Sequence, residues 1–127
     1  MVLFISSNGF SAIKFAERID EYTLSNGLKV ILIEDNRSPS VINSIWYKVG
    51  SSYERPGITG ISHVLEHMMF KGTQNLSSGE FSSIIKEMGG TENGFTSKDY
   101  TGYFQKIHKS NLEKCIELEA DRMKNLK

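Results

Sequence analysis

The 127-residue chain is 39% hydrophobic and 10% aromatic, which suits one packed domain and excludes a disordered segment. Fifteen basic residues balance fifteen acidic ones without a basic run, so a surface built for nucleic acid or anionic lipid is not expected. Cys115 is the single cysteine and cannot close an internal disulfide, and no stretch approaches the roughly 18 apolar residues of a membrane span.

Residues 1 to 12, MVLFISSNGFSA, are mildly apolar and end in small residues. Two readings stand side by side: the tail of a secretory signal, although no Lys or Arg precedes the apolar run, or a frayed N-terminus. The first implies export or a periplasmic location, the second a cytoplasmic one. Residues 13 to 127 read as one domain. EYTLSNGLKVILIED carries two β-prone runs around Asn26-Gly27, the pair that best tolerates a type I′ turn, and predicts a hairpin. After the breaker Arg37-Ser38-Pro39-Ser40, VINSIWYKVGS predicts a third strand, and ERPGITG a loop. A helix follows, starting between Thr59 and Ser62 and fading between Phe70 and Gly72.

The spacing Ser77-Ser78-Gly79-Glu80 is that of a capping box and predicts a second helix from Ser77, closed by a left-handed cap at Gly89-Gly90. TENGFTSKDYTGYFQKI predicts two strands around Ser97-Lys98-Asp99. Ser110-Asn111-Leu112-Glu113 is a second box, opening a helix with Leu112, Cys115, Ile116, Ala120 and Met123 as its apolar stripe. Glu113, Glu117 and Glu119 fall on its polar face. The order of elements predicts an α+β fold, a largely antiparallel sheet covered by helices. The last helix runs into Lys127 without a stop signal, so the domain reads as incomplete.

The chemistry sits in the first helix, GISHVLEHMMF. At about 100° per residue, His63, Glu66 and His67 fall within about 100° of arc on one face. Two imidazoles one turn apart can share one Zn²⁺. Glu66 then lies beside the metal, where it could take a proton from zinc-bound water, whose pKa falls to around 7. The spacing is the inverted zincin signature. A chance match in this composition is on the order of half a percent. The competing reading is a surface helix with an incidental histidine pair. Against it, Val64, Leu65, Met68 and Met69 make the segment apolar elsewhere, which predicts a buried helix whose polar residues need partners. Met68, Met69 and Phe70 are expected in the core. His108 reads as a loop residue after a strand.

The segments YKVGSSYERPGITGISHVLEHMMFKGT, GEFSSIIKEMGGTENGFTSKDYTGYF and LEKCIELEADRM, in this order, resemble the N-terminal part of the pitrilysin family, with insulin-degrading enzyme and the mitochondrial processing peptidases. The resemblance runs from about Tyr22 to the end of the chain. It implies a zinc metalloendopeptidase acting on peptides or unfolded protein segments, with His63 and His67 as ligands and Glu66 as catalytic base. A third ligand, a glutamate on a later helix roughly 75 to 80 residues past His67, would fall beyond Lys127, so these residues alone are expected to be inactive. The resemblance also implies a second homologous half, in the same chain or as a partner subunit. Substrate would add to an edge strand formed by GGTENGFTS, with Asn93, Gly94 and Phe95 as contacts. Where the family usually has alanine, this chain has Gly94, and the plain alternative is an edge strand with a bulge or turn at Asn93-Gly94. A non-catalytic partner subunit of the same family is the alternative function, and the intact His63, Glu66 and His67 speak against it.

Overall fold

The structure, a computed structural model, describes residues 18 to 127; both readings of residues 1 to 12 lie outside them. The chain divides into two compact units, one ending at Ser38 and the other spanning Pro39–Lys127.

In the first unit, β1 (Arg18–Thr23) and β2 (Lys29–Glu34) pair antiparallel, with Tyr22 opposite Val30 and Thr23 opposite Lys29. The hairpin is as expected, but its turn is not type I′. Of Asn26 and Gly27 only the glycine has positive φ, at 85°. Gly27 N–H donates to Leu24 O at 2.9 Å, and Leu24 N–H donates to Leu28 O at 2.9 Å. This is a type I turn closed by a left-handed glycine, the three-residue alternative. It also lets the Asn26 side chain accept from Leu28 N–H at 3.1 Å.

The second unit contains β3 (Ser40–Tyr47), α1 (Ile61–Met68), α2 (Glu80–Glu87), β4 (Thr91–Thr96), β5 (Thr101–His108) and α3 (Leu112–Asn125). The sheet order is β3-β5-β4, antiparallel throughout, so β5 is central and β4 forms an edge. Period-two alternation decides its faces. Thr101, Tyr103, Gln105 and Ile107 of β5 are buried, and α3 packs against β3 and β5 on that side while α1 and α2 pack against β4. The core is Phe81 and Ile85 of α2, Ile107 of β5, and Cys115 and Leu118 of α3. Burying an aliphatic or aromatic side chain of this size is worth about 1.5–3 kcal/mol. On the opposite face Trp46 packs against Phe95 and Tyr100, both at 5.3 Å between ring centroids.

Both capping boxes form differently from expectation. α2 starts at Glu80, three residues after Ser77, because Ser77 to Gly79 make a turn. Glu80 reaches back to accept from Ser77 N–H at 2.8 Å and Ser77 Oγ at 2.7 Å, which is one half of the box. Its far end is as predicted: Gly89 takes the left-handed conformation, φ 72°. Before α3, the second box does not close. His108, the last residue of β5, accepts from Ser110 N–H at 3.3 Å instead, and Asn111 turns its amide to Met88 O.

Candidate metal centre

The entry into α1 is fixed from two directions. Ser51 and Ser52 N–H donate to the carbonyls of Ser97 and Lys98 at 3.1 and 2.9 Å, tying the loop to the β4–β5 turn. Glu54 then reaches across its own loop: its carboxylate accepts from Gly60 N–H at 2.7 Å and Ser62 N–H at 2.9 Å. These are orphan donors of the helix start, and the two bonds hold the Glu54 carboxyl below its ordinary 4.5. Sequence reasoning missed Glu54, because an acid six to eight residues upstream lies outside every local capping pattern.

α1 presents His63, Glu66 and His67 together. The two histidine Nε2 atoms are 3.2 Å apart and the ring centroids 4.7 Å apart. Two nitrogens at 2.0–2.1 Å from one tetrahedral zinc would stand about 3.3–3.4 Å apart, close to the observed separation, so the pair fits a shared cation. Glu66 turns to β4, where its Oε2 accepts from Thr96 Oγ1 at 2.6 Å. Among the described residues no group of three or more His, Cys, Asp or Glu side chains is arranged to hold a metal ion. The expectation that α1 is buried is wrong. It has no buried residue; Val64 is 58% and Leu65 50% exposed. Met69, just past the helix, is buried and Phe70 half-buried, but Met68 is exposed. In this unit α1 meets β4 and the Ser51–Tyr53 turn.

β4 is an unbroken edge strand. Its register runs from Thr91 opposite Lys106 to Thr96 opposite Thr101, which rules out a bulge at Asn93-Gly94. The bond from Ser97 N–H to Tyr100 O sets the phase of the ladder. By its alternation, the backbone groups of Glu92, Gly94 and Thr96 point away from β5. Asn93 uses its side-chain oxygen to accept from Gly94 N–H at 2.9 Å. Gly94 lies on the α1 side, where an added Cβ would sit 3.0 Å from Tyr103 Cδ1 and 3.3 Å from Phe70 Cε2. Phe95 alternates to the other face and lies over Gly102. The three candidate contacts therefore share the strand but not a face.

Residues 29–127 match the family profile described as insulinase, peptidase family M16. The chain belongs to that family. It is 44% identical over 108 residues to the zinc protease PqqE of Helicobacter pylori, covering 84% of this chain and 24% of that protein. It is 33% identical over 118 residues to the mitochondrial-processing peptidase subunit beta of Dictyostelium discoideum, covering 92% of this chain and 25% of that one. Among solved structures, that of a protease from Helicobacter pylori superposes with a TM-score of 0.84 at 42% identity, over 89% of this chain and 27% of the other. The chain thus spans about a quarter of the length of the relatives it matches. The α+β fold expected from the order of elements is the one these M16 relatives share.

Behind the histidine helix this M16 chain carries a charged network that its sequence hid. Glu119 and Arg122 of α3 are 2% and 1% exposed and form an ion pair. Gln105 donates to Glu119 and accepts from Asn43 Nδ2 at 3.0 Å and Cys115 Sγ at 3.4 Å. The Arg122 guanidinium lies 4.5 Å from the Phe81 ring centroid, 4.6 Å from Tyr103 and 5.2 Å from Phe70. Glu119 is therefore not on the polar face of α3. Its buried stripe is Cys115, Leu118, Glu119 and Arg122, while Ile116, Ala120 and Met123 are exposed and Leu112 is half-buried. Burial raises the Tyr103 hydroxyl to about 12, and the Glu66 charge pushes in the same direction. The Cys115 thiol is raised by burial to about 11, which makes it an inert core group rather than a nucleophile.

Proposed function

We propose that the protein is a zinc-dependent metalloendopeptidase that hydrolyses peptides or unfolded protein segments, with His63 and His67 as zinc ligands and Glu66 as general base. The observation that carries this reading is the Nε2 pair 3.2 Å apart with a carboxylate on the same helix face. Zinc held there would supply Lewis acidity, polarising the scissile carbonyl and acidifying water. Glu66 takes the proton of the attacking water and returns it to the leaving amine. The substrate backbone pairs with the outward groups of Glu92 and Thr96 and with the Gly94 carbonyl on β4, alongside Asn93, Gly94 and Phe95. A further carboxylate ligand and a second homologous half, in the same chain or as a partner subunit, complete the site. The zinc protease relative and the paired-subunit name of the mitochondrial one support this reading.

The test is Glu66→Gln in the full-length protein. Turnover of an unstructured peptide should fall by about 10²–10⁴, with about one zinc retained per site. Loss of zinc would make Glu66 a ligand; unchanged turnover would remove it from the chemistry.

A further inference from the structure

We infer that Thr96 is a positioning residue that holds the Glu66 carboxylate in register with the strand on which the peptide is laid. The inference rests on the reading of Glu66 as the base. Glutamate is a long, flexible side chain, and Glu66 is only half-buried. A hydrogen bond from Thr96 Oγ1 to Glu66 Oε2 ties it to β4. At 2.6 Å it is at the short end of hydroxyl-to-oxygen hydrogen bonds.

The donor is itself held firmly. Threonine is β-branched and stiff at χ1, so its Oγ1 follows the strand backbone closely. Thr101, the cross-strand partner of Thr96, does not compete for Glu66, because its hydroxyl donates to Val49 O at 2.9 Å. With Oε2 occupied, Oε1 accepts no hydrogen bond among the described residues and is the oxygen left for proton transfer. It also ties two things that must agree in a hydrolysis: the base on α1 and the edge of β4. The outward backbone groups of Thr96 belong to the proposed docking edge, while its side chain fixes the base. A peptide laid along β4 and the carboxylate that activates the water would thus share one reference residue. An error of about 1 Å in such a geometry can cost on the order of 10²-fold in rate.

The bland account is that Thr96 is merely a good strand residue whose methyl packs against α1. Isosteric and same-volume replacements separate the two. In the full-length, zinc-loaded protein, Thr96→Val keeps the shape and removes the hydroxyl, and Thr96→Ser does the reverse. Thr96→Ala lacks the same methyl as Thr96→Ser, so the Ser/Ala pair reads the hydroxyl even if the valine variant folds poorly. We expect kcat to fall about 10- to 100-fold in Val and Ala. KM should stay within about twofold, zinc content should not change, and Ser should stay within about threefold of the parent. In crystals of the metal-free proteins, Glu66 should keep its rotamer in Ser and lose it in Val. A valine variant with parental kcat, or Ser and Ala variants that lose activity equally, would overturn the inference. Glu66→Gln run in parallel separates the layers. If it is inactive while Thr96→Val is normal, only the positioning role fails; if it stays active, the base assignment fails and takes the positioning role with it.

Discussion

α1 and α3 read in opposite ways from sequence and from structure. α1 is apolar around most of its circumference, yet none of its residues is buried and its two histidines are exposed. α3 has the lower apolar content, yet it buries a glutamate and an arginine almost completely. A helix at the edge of a layer stays open to a neighbour or a ligand, while one laid across the centre of the sheet buries whatever faces Tyr103 and Gln105. Charges are tolerated there because Gln105 and three aromatic rings supply partners, which is what buried ions require. The proposed chemistry thus lies on the exposed helix and the buried charges on the other, and each half of that division can be attacked separately.

The largest effect is expected on the exposed helix. His67→Ala in the full-length protein should lower zinc affinity by at least about 100-fold and abolish turnover. It should change metal-free stability by no more than about 0.5 kcal/mol, because the ring is exposed. Zinc titration and denaturant unfolding check the two halves of this statement, and a large loss of metal-free stability would break the comparison.

On the buried helix the pattern should reverse. Arg122→Met leaves the Glu119 carboxylate buried without its ion and should cost about 3–5 kcal/mol in unfolding experiments. Adding Glu119→Leu removes the stranded charge and should recover most of that loss. If Arg122→Met costs less than about 1 kcal/mol, the network is not what holds the helix layer to the sheet.

The smallest effect sharpens the boundary between the helices. The Glu54 carboxyl lies below its ordinary 4.5, chiefly through the Gly60 and Ser62 N–H groups. A group whose folded value is depressed stabilises above its unfolded value and loses that contribution as pH falls through the folded one. The start of α1 should therefore loosen below pH 4.5, seen as faster amide exchange at Gly60 and Ser62 after correction for the intrinsic rate. The β5 amides should not respond over the same range. Glu54→Gln should remove this pH dependence, and exchange that still accelerates in that variant would assign it to another carboxyl.

Much of this molecule is written in local signals. The two hairpins, the three helices, the left-handed Gly89 and the shared face of His63, Glu66 and His67 all follow from patterns within a few residues, where the period of the backbone alone sets which side chains meet. Other features depend on groups far apart in sequence. Thr96 meets Glu66 across thirty residues, and Gln105 meets Glu119 only once β5 and α3 are stacked. The face on which Phe95 lies and the burial of Glu119 rather than Ile116 have the same origin. Periodicity says which residues share a face, but only the neighbouring layer says which face is covered, and a buried charge is indistinguishable from a solvated one until its partner is in place.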